Sequence, residues 1–150
     1  HGNAGNIGLR LPNAKRMFYH LHANILLVDY RGFGESDSVP SEAGLKLDAQ
    51  AALHYCHDKL SVDKSKIFVF GRSLGGAVAF DLAAYAQRTN TPLAGVIVEN
   101  TFTSISDMVD VLMPMLTPIK RFVLRIGWKS IDLVPALRIP TLYLAGSRDE

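Results

Sequence analysis

Gly71-Arg72-Ser73-Leu74-Gly75-Gly76 stands directly after the apolar run Ile67-Phe68-Val69-Phe70 and directly before the alanine-rich stretch 77–86. A β-rich tetrapeptide, a glycine-flanked serine and a run of small helix formers read as strand, sharp turn and helix. In such a turn the serine sits at the tip in a strained backbone conformation. A Cβ two residues before or after it would collide across the bend, so Gly71 and Gly75 are required where they stand. The Ser73 hydroxyl is thereby exposed at the C-terminal edge of a sheet, beside a helix N-terminus, and becomes a candidate nucleophile. The plainer reading of the same residues is a glycine-rich strand–helix turn with a surface serine.

Outward from this turn the chain alternates. Short apolar runs at 25–29, 67–70, 95–99 and 141–145 read as parallel strands covered on both faces. Helical segments are expected over 7–22, 42–60 and 74–88, with two or more pieces within 104–137; Ser41 is the expected N-cap of the second. The alternation predicts an α/β fold, a mostly parallel sheet with helices on both faces. No internal repeat or linker interrupts it, so residues 1–150 are read as one domain. The segment 101–139 breaks the rhythm: it is too long for a simple crossover, and it is rich in Met, Leu, Ile and Phe with Lys120, Arg121, Arg125 and Lys129 interspersed. It reads either as a cap that touches an acyl chain or a lipid surface, or as ordinary helices packed on the sheet; apolar helical spacing favours the second.

The composition removes several function classes. A chain of 150 residues, 48% hydrophobic and 20% charged, has enough apolar material for a packed core and is not of disordered type. A net charge of +2 with no basic block argues against nucleic acid as a partner. The single cysteine, Cys56, excludes an internal disulfide and a Cys-rich zinc site, and core packing is its expected role. The most apolar stretch, 108–119, is too short to span a bilayer and carries Asp110, Pro114 and Pro118. The glycine turn Asp29-Tyr30-Arg31-Gly32-Phe33-Gly34-Glu35-Ser36 lacks the lysine and Ser/Thr of a phosphate loop, and no His-Glu-x-x-His spacing occurs, so no metal and no cofactor is expected. That turn reads as a wall beside the pocket.

A serine hydroxyl needs a base, an acid that orients the base, and donors for the oxyanion. The segment His1-Gly2-Asn3-Ala4-Gly5-Asn6 looks like a donor loop, with the Asn3 N–H as one donor and the Leu74 N–H, next after the nucleophile, as the other. Gly2 would let the loop approach the substrate carbonyl. His1 is expected to brace that loop; service as the base is the alternative. Asp149, just past the run 141–145, is expected to be the orienting acid, with Glu99 at the end of the preceding run as competitor. His20, His22, His54 and His57 all fall in expected helices before the turn, and no histidine follows Ser73. The base is therefore expected beyond Glu150. The chain also opens inside a loop motif and closes after a strand-like run, which reads as an internal piece of a longer protein.

Taken together, the segments 1–6, 29–36, 71–76, Glu99-Asn100-Thr101-Phe102 and Gly146-Ser147-Arg148-Asp149 resemble the α/β-hydrolase superfamily, and within it the α/β-hydrolase domain-containing proteins of the type found in fungi and plants. The resemblance covers the whole chain and is loosest over 104–137. It implies that Ser73 is the nucleophile and Asp149 the acid, and that the histidine lies outside this stretch. It implies a serine hydrolase acting on esters or thioesters of small molecules or proteins, or a peptidase with the same triad; a non-catalytic module on the same scaffold is the third reading. Dehalogenase and epoxide hydrolase chemistry is disfavoured, because those relatives carry aspartate at the place of Ser73. Membrane association and intracellular chemistry are implied in the same way. In that fold the strand before the donor loop lies between the runs 25–29 and 67–70. Without it, both runs face an empty slot, and residues 1–150 alone are expected to be unstable.

Overall fold

The computed structural model describes residues 1–2, 6–59, 61–101, 128 and 130–146. In chain order, a 3-10 turn Ile7–Arg10 leads into helix α1 (Leu11–Leu21), followed by α2 (Glu42–Lys59), a 3-10 turn Lys64–Lys66, strand β1 (Phe68–Arg72), α3 (Leu74–Thr89), β2 (Gly95–Glu99), α4 (Ser130–Leu133), a 3-10 turn Val134–Ala136 and β3 (Thr141–Leu144). Local chemistry sets these limits. The Asn6 side chain accepts the Gly8 N–H at 2.9 Å and starts the first turn. Ser41 caps α2 as expected: its hydroxyl accepts the Gly44 N–H at 3.1 Å. Asn90, left-handed at φ 53°, ends α3 with its N–H on the Ala86 and Gln87 carbonyls.

The three strands are parallel, in the order β1-β2-β3, with Phe68 opposite Gly95, Arg72 opposite Glu99, and Glu99 opposite Leu144. Parallel neighbours share a C-terminal edge, so Arg72, Glu99 and Leu144 come out side by side. Helix α3 is the middle layer of the molecule. Through Phe80, Ala79 and Ala83 it packs on Val96 and Val98 of β2; through Ala77, Val78, Leu82 and Ala86 it packs on Leu45, Ala49 and Leu53 of α2. Alanines at near-zero exposure let both neighbours approach closely. Lys46 adds a polar tie between the helices, with Nζ 2.9 Å from Glu42 Oε1 and 3.1 Å from Asp81 Oδ1. The opposite face of the sheet carries Phe68 and Leu142, each more than half exposed.

One expected strand is not formed. Residues 25–29 pair with none of β1, β2 and β3, and Ile25 and Leu26 are 37% and 47% exposed. An apolar run with no neighbour to take its N–H and C=O groups has no ladder to join. It borders an open groove of about 510 Å³ lined by Leu26, Val28, Asp29, Arg31, Asp48 and Tyr55. That groove does not include Ser73, so its size says nothing of the chemistry. The expected helices within 104–137 lie mostly outside the described residues, apart from Trp128 and the stretch from Ser130. Cys56 is half-buried rather than central, and burial pushes its thiol up.

Candidate active site

Ser73 joins β1 to α3 with φ 51° and ψ −118°. A non-glycine residue at that φ and ψ carries strain of roughly 1–3 kcal/mol, held only where the surroundings over-determine it. They do so here. The Ser73 N–H donates to the Glu99 carbonyl at 3.0 Å, and the Gly76 N–H donates to the Ser73 carbonyl at 2.9 Å. The Thr101 hydroxyl donates to that same carbonyl at 3.2 Å. The two flanking glycines answer to different contacts: a Cβ on Gly71 would collide with the Gly75 carbonyl across the bend, whereas one on Gly75 would lie 2.7 Å from the carbonyl oxygen of His1, which is not part of the bend. The Ser73 side chain makes no capping bond to α3 and is partly exposed at the sheet edge.

Leu74 is the first residue of α3 and is buried. Its N–H has no partner within the helix by position, and it points from the positive end of the helix dipole. Gly2 lies against the turn: a Cβ there would sit 3.5 Å from Ser73 Cβ and from the Arg72 carbonyl oxygen. Gly2 therefore lies beside Ser73. Asn3 itself lies outside the described residues.

His1 is packed in. Its ring is 4.7 Å from that of Tyr30 and 5.1 Å from that of Phe33, and Nδ1 is 2.8 Å from the Gly2 carbonyl oxygen. Nε2 stands 3.2 Å from Asp29 Oδ1 but is not aligned for a hydrogen bond. The same carboxylate accepts the Ile7 N–H at 2.8 Å, so Asp29 touches both ends of the glycine loop. Tyr30 beside it is buried near Asp48, and desolvation first, then that charge, push its phenol up to about 12.

Asp149 lies outside the described residues. The chain leading to it is described as far as Gly146, whose N–H donates to Asn100 Oδ1 at 3.3 Å, at the same sheet edge as Ser73. Glu99, the competing acid, is beside Arg72, with Nε 4.0 Å from Oε2. The helical histidines belong elsewhere: His57 is buried with Nε2 2.9 Å from the Pro92 carbonyl oxygen, and His54 Nε2 is 2.9 Å from the Tyr85 hydroxyl. Tyr85 is just over three turns along α3 from the serine, ~18 Å at the rise of an α-helix. Among the described residues no group of three or more His, Cys, Asp and Glu is arranged to hold a metal ion. Sequence reasoning did not assign roles to Asn100 and Thr101, although both lie in the quoted segment 99–102.

Comparison with known proteins identifies the family and the fold. The family model described as serine aminopeptidase, S33, matches residues 1–150. Protein bem46 of Schizosaccharomyces pombe is 44% identical over all of this chain and 50% of its own length. The α/β hydrolase domain-containing protein WAV2 of Arabidopsis thaliana is 41% identical over 99% of this chain and 51% of its own. The chain thus spans about half the length of the curated relatives it matches. The crystal structure of an α/β hydrolase from Vibrio vulnificus superposes with a TM-score of 0.73 at 27% identity, over 83% of this chain and 46% of that one.

Proposed function

The chain belongs to the serine aminopeptidase (S33) family of α/β hydrolases, and from that premise we propose that the intact protein is a serine hydrolase that opens carboxylic ester or thioester bonds through an acyl-enzyme. One observation carries the reading: Ser73 stands at φ 51° and ψ −118° between β1 and the N-terminus of α3. A surface serine in a plain turn needs no such strain.

In this reading Ser73 Oγ attacks the carbonyl carbon while a histidine from the remainder of the intact protein takes its proton. The N–H groups of Leu74 and Asn3 receive the oxyanion, each worth ~3 kcal/mol to the transition state. Asp149 orients the histidine and stabilises its charged form. The leaving alcohol or thiol departs with the proton, and water repeats the cycle to release the acid. Gly2, Gly71, Gly75 and His1 shape and brace the turn and the donor loop. The substrate is an acylated small molecule or protein, and neither metal nor cofactor enters the cycle.

The family description favours a second reading, an aminopeptidase using the same groups. Association with a membrane is part of the proposal as well. A Saccharomyces cerevisiae relative, 36% identical over 99% of this chain, is described as an uncharacterized membrane protein. Among the described residues no helix is long and apolar enough to cross a bilayer.

The test is covalent labelling of the intact protein by a fluorophosphonate. Labelling is expected, with at least a ~10³-fold loss in Ser73→Ala. Folded protein that does not label sinks the proposal. Parallel turnover of a p-nitrophenyl ester, an acyl thioester and an aminoacyl anilide then separates the esterase from the peptidase.

A further inference from the structure

We propose that the corner Glu99-Asn100-Thr101, and in it the Thr101 hydroxyl, is the positioning element that holds Ser73 in its reactive conformation. The inference deepens the reading of Ser73 as nucleophile and rests on it.

A strained peptide stays in place only when its polar groups are held. Ser73 has both taken. Its N–H goes to the Glu99 carbonyl at 3.0 Å, and its carbonyl accepts from Gly76 N–H at 2.9 Å and from Thr101 Oγ1 at 3.2 Å. Gly76 belongs to the turn itself. The two restraints from outside the turn both come from this one corner.

The corner is built for close approach. A Cβ on Gly76 would lie 2.5 Å from Thr101 Cβ and would also collide with Oγ1, so the second glycine of the Gly75-Gly76 pair leaves room for the threonine over the first turn of α3. Asn100 makes the bend. It is left-handed at φ 46°, a conformation asparagine tolerates better than most residues. Its own N–H donates to the Leu144 carbonyl at 2.9 Å, and its Oδ1 accepts the Gly146 N–H. The corner is thus anchored to the exit of β3 on one side while it grips the serine on the other. Were Thr101 free to swing, the Ser73 carbonyl would keep only the bond from its own turn.

A hydroxyl acting on a backbone carbonyl changes how often the nucleophile is correctly aimed, not how substrate binds. In the intact protein, Thr101→Val keeps the shape and removes the donor. It is expected to slow fluorophosphonate labelling and to lower kcat on a p-nitrophenyl ester about tenfold, the population shift set by one ordinary hydrogen bond. KM should stay within about twofold, since ground-state contacts are untouched. Thr101→Ser restores the donor and is expected to label within about twofold of the unmodified protein. If Thr101→Val misfolds, as read by circular dichroism, Thr101→Ala carries the same expectation. Equal labelling rates for the valine variant and the unmodified protein overturn the inference, and so does a serine variant as slow as valine. Absence of labelling in the unmodified protein overturns the reading of Ser73 first, so the two failures are distinct.

Discussion

Ile25-Leu26-Leu27-Val28-Asp29 and Gly95-Val96-Ile97-Val98-Glu99 are two five-residue runs of nearly one pattern, apolar and closing on an acid. The second is β2, paired with β1 on one side and β3 on the other, and its Val96 and Val98 are each 1% exposed. The first pairs with no described strand and leaves Ile25 and Leu26 against solvent. Composition gave both runs the same tendency. A neighbour able to take the backbone hydrogen bonds decided which became a strand. The difference also divides the site. The turn at Ser73 is held by β2 and its exit, whereas Asp29, at the end of the unpaired run, meets His1 and Ile7 on either side of the first glycine segment.

The strongest way to break the comparison is to produce residues 1–150 alone. Among the described residues one edge of β1 is open and the run 25–29 joins no strand, so no cooperative urea transition is expected, whereas the intact protein should give one. A sigmoidal transition of the isolated piece would mean that the open edge costs little. Next in size, Val96→Asp in the intact protein puts an unpaired carboxylate against Phe80, and a loss of about 4 kcal/mol or more is expected by denaturant titration. Leu26→Ser sharpens the contrast. If the rest of the intact protein covers the run 25–29 as a strand, the change should cost about 2 kcal/mol. A cost under about 0.5 kcal/mol would make the run a surface segment there too.

The smallest expected effect concerns Arg31, two residues past that run. Its Nη2 is 2.8 Å from Asp48 Oδ1, its Nε is 3.1 Å from both carboxylate oxygens, and its N–H donates to Oδ2 at 2.9 Å. Burial alone would raise the Asp48 carboxyl, but the Arg31 hydrogen bonds and charge overcome it and hold it below the usual range. A lowered carboxyl contributes its full stability above the ordinary carboxylate range and loses it as pH falls through the lowered value. Asp48→Asn is therefore expected to lower Tm slightly at neutral pH and to flatten its fall between about pH 5 and pH 2. An unchanged acid slope would assign the acid sensitivity to other carboxylates.

Much of this was legible in the residues. The run 95–99, the helices around 42–60 and 74–88, and the Ser41 cap follow from periodicity and capping chemistry, which act within a few residues. Other features were not. The bond from Thr101 to Ser73 spans 28 positions and that from Gly146 to Asn100 spans 46, so no local pattern announces them. Gly76 falls inside the expected helix 74–88, and only the fold brings Thr101 over it.

By itself the sequence determined the alternation of strand and helix and the bend at Ser73, because backbone sterics and glycine are local. The tertiary structure alone decided which apolar run entered the sheet and which residues hold the serine in place. Both depend on hydrogen-bond partners that arrive from distant parts of the chain.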